Sequence, residues 1–121
     1  MSKRSNAATR ELLSAIYNNR PEYVRSIIKA GVPYNKDQAL VVAINENRLE
    51  IAEDLIDHGS GWADITLITA IRENRPEISE YLIKYGRNAT WGPSVIVEAM
   101  EEDRPEIIRW LRRSGATIRK K

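Results

Sequence analysis

The sequence predicts an all-α solenoid in which four helix–loop–helix repeats stack side by side. The first sign is the segment Asn-Arg-Pro-Glu at 19–22, which returns unchanged at 74–77 and with one change each at 47–50 and 103–106. Two single-residue markers recur in the same register, at steps of 28, 27 and 29 residues: Ala15, Ala43, Ala70 and Ala99, and Gly31, Gly59, Gly86 and Gly115. A repeat array presents an extended surface and requires no cleft, so this pattern favours binding over catalysis.

Each repeat contains two short amphipathic helices. In the second repeat, Leu40, Ala43 and Ile44 share one helical face, and Ile51 and Leu55 do the same after the break. Segments of about 8 to 10 residues are marginal helices in water, so each pair must pack on its neighbours.

Three kinds of residue mark the ends of these helices. The first helix of each repeat ends at a residue that tolerates a left-handed backbone: Asn19, Asn47, Asn74 or Asp103. Proline suits the first turn of the second helix, at Pro21, Pro76 and Pro105. The recurring glycines are expected to end the second helices at positive φ.

The segment 39–60 resembles the helix–loop–helix part of an ankyrin repeat, and the other three copies match it equally well. Two departures stand out: Asn-Arg replaces the family's Gly-His in the loop, and the Thr-Pro-Leu-His opening is missing. The repeats are also 27 to 29 residues long, against about 33 in the family, so we expect shortened connectors. The resemblance implies that Tyr34 and Trp62, in these connectors, pack on the next repeat.

The resemblance further implies a non-enzymatic protein–protein interaction module, an inhibitor or adaptor, that binds a partner on a concave face formed by the first helices. The residues expected to contact the partner are Tyr17, Asn18, Asn45, Glu46, Arg72, Glu73, Glu98, Glu101 and Glu102. This stripe becomes acidic toward the fourth repeat, which predicts a partner with a basic surface. The competing interpretation is an ordinary solvated helix face, since Glu is a good helix former.

The terminal repeats are expected to be polar caps. In the second helix of the fourth repeat, Arg112 stands where the earlier repeats carry Ile28, Ile56 and Ile83. At the other end, the first helix is predicted from about Thr9 and carries Arg10, Glu11 and Asn18 beside apolar residues.

Two alternative functions stay open. A basic C-terminal edge of Arg109, Arg112, Arg113 and Arg119 could bind nucleic acid or an anionic surface, although no recognition helix or stacking platform accompanies these charges. The array ends could instead self-assemble through aromatic anchors, for which Trp110 and Trp91 are the candidates, so the oligomeric state is left undecided.

The composition supplies little for catalysis. The chain has no cysteine and a single histidine, His58, and it contains no Gly-rich phosphate loop. We therefore predict no enzyme activity, no metal and no cofactor. The net charge of +2 makes nucleic acid an unfavoured partner.

The chain carries neither a long apolar run nor a signal-peptide pattern, so we predict one domain over 1–121 without a membrane span. The four repeats lie at about 9–36, 37–64, 65–92 and 93–121. We expect a cytoplasmic protein, and by family analogy alone a viral or pathogen factor that targets host proteins.

Overall fold

A computed structural model describes residues 3–86 and 91–114. These residues form eight α-helices and contain no β-strand, which confirms the predicted all-α class. The helices are α1 (Lys3–Tyr17), α2 (Pro21–Lys29), α3 (Lys36–Asn45), α4 (Leu49–Asp57), α5 (Asp64–Arg72), α6 (Pro76–Tyr85), α7 (Pro93–Glu101) and α8 (Pro105–Arg113). No helix among the described residues is long and apolar enough to cross a membrane.

The eight helices pack as two layers. Helices α1, α3, α5 and α7 contact one another in that order, and α2, α4, α6 and α8 form the second layer. Within each repeat the two helices also pair across the layers. One continuous core runs between them, and Leu12, Leu40, Leu67 and Ile96 lie at equivalent positions at its centre. Each inner repeat therefore buries its apolar side chains against both of its neighbours, and each terminal repeat against one.

The break between the two helices of each repeat follows the sequence-based prediction. Asn19, Asn47, Asn74 and Asp103 have φ values of 55°, 56°, 60° and 56°. Three of the second helices begin at their proline, where the missing N–H has no partner to lose.

The recurring arginine of the Asn-Arg-Pro-Glu segment ties one repeat to the one before it. Arg48 donates from Nε and a terminal nitrogen to the carbonyl oxygens of Ile16 and Tyr17, at 3.1 and 2.8 Å. Arg75 donates in the same way to the carbonyls of Ile44 and Asn45, at 2.9 Å each. Those carbonyls lie at helix C-termini, where intrahelical partners are missing.

The two terminal arginines of this set behave differently. Arg20 has no preceding repeat and its guanidinium lies 5.4 Å from the centre of the Tyr23 ring. Arg104 has a buried Nε atom without a hydrogen-bond partner among the described residues. The guanidinium link is therefore made at the first two of the three junctions.

Two predictions about helix ends need correction. Helix α1 begins at Lys3, well before the predicted start at about Thr9. Gly31 and Gly59 have the expected positive φ, but Gly86 has φ −62° and ψ 154°. A Cβ atom on Gly86 would collide with the Leu82 carbonyl oxygen, so close packing of the chain requires this glycine. Gly115 lies outside the described residues.

The connectors differ from one another in what they bury. Tyr34 is buried as expected, whereas Trp62 is 54% exposed, so these two connector aromatics differ in burial. Trp91, two positions before α7, is only 2% exposed and joins the core. This burial excludes Trp91 as an exposed anchor for self-assembly.

Candidate partner-binding face

The predicted contact residues come together because four parallel-running helices carry them. Helices α1, α3, α5 and α7 end at Tyr17, Asn45, Arg72 and Glu101, and the next residue of each repeat is Asn18, Glu46, Glu73 or Glu102. Since these helices pack side by side, their last turns form one row across the molecule. We call this row, together with Glu98, the first-helix face.

Exposure along this row is nearly uniform. Tyr17, Asn45, Arg72 and Glu101 are all exposed, although they are an aromatic, an amide, a cation and an anion. The adjacent positions Ala15, Ala43, Ala70 and Ala99 are buried and identical. Packing therefore dictates the buried position in every repeat and leaves the exposed position free to vary.

Glu98 does not contribute a free negative charge to the first-helix face. The Arg72 guanidinium donates to both of its carboxylate oxygens, from Nε at 3.2 Å and from a terminal nitrogen at 3.1 Å. The Glu98 side chain is 12% exposed, and it joins α7 to α5. The hydrogen bond to Glu98, and then the charge of Glu98, raise the pKa of Arg72, which stays cationic. The prediction that Glu98 steers a basic partner is therefore corrected to an inter-repeat contact.

The acidic character of the first-helix face resides in the remaining carboxylates. Glu46, Glu73 and Glu101 are exposed, and Glu102 is partly buried. None of the four forms an ion pair with another described residue. With Arg72 and Glu98 neutralising each other, the row carries about four negative charges, which favours a cationic partner.

Two exposed apolar side chains lie at the opposite end of α5 from this face; the sequence analysis missed Ile65 and interpreted Trp62 as a packing residue. Trp62 precedes α5 and Ile65 lies in its first turn, and both are about half exposed. The other repeats carry Arg10, Gln38 and Ser94 at the position of Ile65, so an apolar residue at a polar position was the available signal. Ile65 and Glu73 lie at opposite ends of α5, about 12 Å apart along its axis.

The basic edge is only partly described. Arg109, Arg112 and Arg113 are exposed on α8, and none of them forms an ion pair with a described residue. Arg119 lies outside the described residues. Trp110 is partly buried, packs on the core and lines an open cavity beside Ile83 of α6, so it faces the preceding repeat.

A metal centre is not formed by the described part of the chain, which holds no cluster of His, Asp and Glu able to bind an ion. The His58 Nδ1 atom lies 2.8 Å from the Asp54 carbonyl oxygen at the end of α4. This contact gives the single histidine a role at a helix terminus.

In comparisons with known proteins, no family model matches the chain and no curated protein sequence matches it significantly.

Proposed function

We propose that this chain is a non-enzymatic, ankyrin-like protein–protein interaction module that binds a partner with a basic surface on its first-helix face. The observation that carries the proposal is the contrast between exposed and buried positions of the same helices. The exposed residue at the end of each first helix differs in every repeat (Tyr17, Asn45, Arg72 and Glu101), while the buried alanine two positions earlier is the same in all four. Solvation alone does not require an aromatic, an amide, a cation and an anion in one row.

The chemistry of the face indicates how the partner is held. Four carboxylates attract cationic side chains and accelerate association, an effect that weakens as salt is added. Trp62 and Ile65 supply exposed apolar surface at the other end of α5, and Trp is among the residues enriched in strong interface contacts. The partner therefore needs basic side chains about 12 Å from an apolar one.

The test is affinity capture from the source cell at moderate salt, before and after nuclease, with identification of the retained protein. The decisive variant is Glu46→Lys with Glu73→Lys, because both side chains are exposed and unpaired and both lie far from the array ends. We expect association with the purified partner to slow at least tenfold at low salt.

The matched control is Glu22→Lys with Glu77→Lys, which changes the net charge equally but on the second-helix layer. Circular dichroism verifies that both variants fold. An association rate unchanged by Glu46→Lys and Glu73→Lys, or slowed equally by the control, would contradict the proposal. Capture that disappears with nuclease would move the function to Arg109, Arg112 and Arg113.

A further inference from the structure

The C-terminal end of the array leaves apolar positions uncovered. Met100 is 52% exposed, whereas the residues at its position in the other three repeats are 0% exposed: Ile16, Ile44 and Ile71. The exposed fraction of Val97 is 40%, although its three equivalents are partly buried by the next repeat. These equivalents are Leu13, Val41 and Ile68.

Helix α8 continues this apolar surface. Ile108 is partly exposed, whereas its equivalents Val24, Ala52 and Ser79 are fully buried. We define the C-terminal end face as the apolar residues Val97, Met100 and Ile108 with the flanking charges Glu101, Arg109 and Arg112. The polar cap predicted from Arg112 is therefore limited to the edge of this face.

The flanking charges lie where the inner junctions already make ion pairs. Arg25 of the first repeat reaches across to Glu50 and Asp54 of the second, at 3.1 and 2.8 Å, and Arg109 occupies the same position in the fourth repeat. Arg72 similarly reaches across to Glu98, and Glu101 occupies its position. The C-terminal end face thus projects a carboxylate from α7 and a guanidinium from α8.

Head-to-tail stacking of copies does not suit this face. The N-terminal end carries Glu11 where the other three repeats bury Ala39, Thr66 and Val95. Tyr23 donates from its hydroxyl to a Glu11 carboxylate oxygen at 2.7 Å, which keeps that end polar. Stacking it on Met100 would bury a carboxylate against apolar side chains, which is costly.

We infer that the C-terminal end face pairs with the same face of a second copy of this chain. A two-fold axis that lies in the face, between α7 and α8, places each α7 antiparallel on the other copy's α8. Glu101 at the end of α7 then lies opposite the first turn of the other copy's α8, about one helical turn from Arg109 at the centre of that helix. The apolar centres meet, and the opposite charges pair twice, as an isologous interface requires.

The face consists of two nine-residue helices, so the interface falls at the small end of specific contacts and the dimer is weak. Sedimentation equilibrium of the full chain over about 10 to 500 µM should give a reversible monomer–dimer equilibrium with a micromolar dissociation constant. Met100→Lys should weaken dimerisation at least tenfold. The control Tyr23→Lys, on an exposed aromatic of the opposite end, should leave the dissociation constant unchanged.

Charge reversal tests the orientation. Glu101→Arg and Arg109→Glu should each weaken the dimer, and the double variant should recover most of the wild-type affinity because the pairs are restored with exchanged signs. A chain that stays monomeric at all concentrations would overturn the inference, as would a Tyr23→Lys effect equal to that of Met100→Lys. Double-variant affinity no better than that of the single variants would overturn the two-fold arrangement. Since none of these variants changes Glu46 or Glu73, failure here is distinguishable from failure of the partner-binding proposal.

Discussion

The two ends of this array carry different kinds of residue at positions that are buried in the other repeats. Each end lacks one neighbouring repeat, so residues that are core elsewhere meet solvent there. At the N-terminal end Glu11 replaces a small buried residue and accepts a hydrogen bond from Tyr23. At the C-terminal end Met100 and Val97 keep the apolar pattern of the inner repeats and remain exposed.

The repeat pattern alone therefore does not decide whether a residue is buried. Ile71 of α5 and Met100 of α7 occupy equivalent positions in their repeats, yet Ile71 is fully buried and Met100 is half exposed. The neighbouring repeat supplies the burial, and an end position becomes either a cap or a contact surface depending on its residue.

The largest expected difference in the free energy of unfolding is between truncations of the equivalent residues Ile71 and Met100. Ile71→Ala should lower the free energy of unfolding by about 2 to 5 kcal/mol, because it opens a cavity in a packed core. Met100→Ala should change it by less than about 1 kcal/mol, because the side chain is half solvated. Urea denaturation followed by circular dichroism, at concentrations where the chain is monomeric, measures both; equal losses would show that Met100 is covered.

A smaller effect is expected from the recurring arginine. Arg75→Ala removes two hydrogen bonds to helix-end carbonyls and should cost about 1 to 3 kcal/mol. Arg20→Ala removes the equivalent residue at the N-terminal end, where only the Tyr23 ring is contacted, and should cost less than about 1 kcal/mol.

Arg75→Lys is a conservative variant that tests whether the positive charge alone is enough. Arg75→Lys should not recover the stability, because an ammonium cannot reproduce the fork that reaches both carbonyls. If Arg20→Ala proves as destabilising as Arg75→Ala, the inter-repeat link does not explain why this arginine recurs.

The smallest effect is a pH dependence at an inner junction. Burial and then the hydrogen bond to Asp57 raise the pKa of Tyr81 from 10.0 to about 12. Because the folded-state pKa is the higher one, the unfolded chain releases this proton first, and stability declines as the pH rises from 10 toward 12. Tyr81→Phe should flatten this part of the stability curve measured by denaturation in alkaline buffers. An equally steep decline in the variant would assign it to other groups.

Much of the fold was predictable because each repeat carries local signals. Asn47 and Pro76 mark a helix end and a helix start by their own backbone preferences, and the structure has both as predicted. The row from Tyr17 to Glu101 was also predictable, since helical periodicity separates its exposed positions from Ala43 and Ala70.

The errors concern contacts between repeats. The arginine of the recurring Asn-Arg-Pro-Glu segment was given no role, because the carbonyls that Arg48 and Arg75 bind lie about 30 residues earlier in the chain. Glu98 appeared as a free acid because its partner Arg72 lies in another repeat. Trp62 and Trp91 occupy similar places before their helices, yet only Trp91 is buried.

Turn chemistry and amphipathic periodicity act within a few residues, so the helices, most of their ends and the stacking order were predictable from the sequence. Which charges are neutralised, which aromatics are buried and which end of the array stays apolar became clear from the packing of the repeats. Those outcomes depend on what lies across a junction, and the burial of Met100 or Trp62 is a property of the neighbour as much as of the residue.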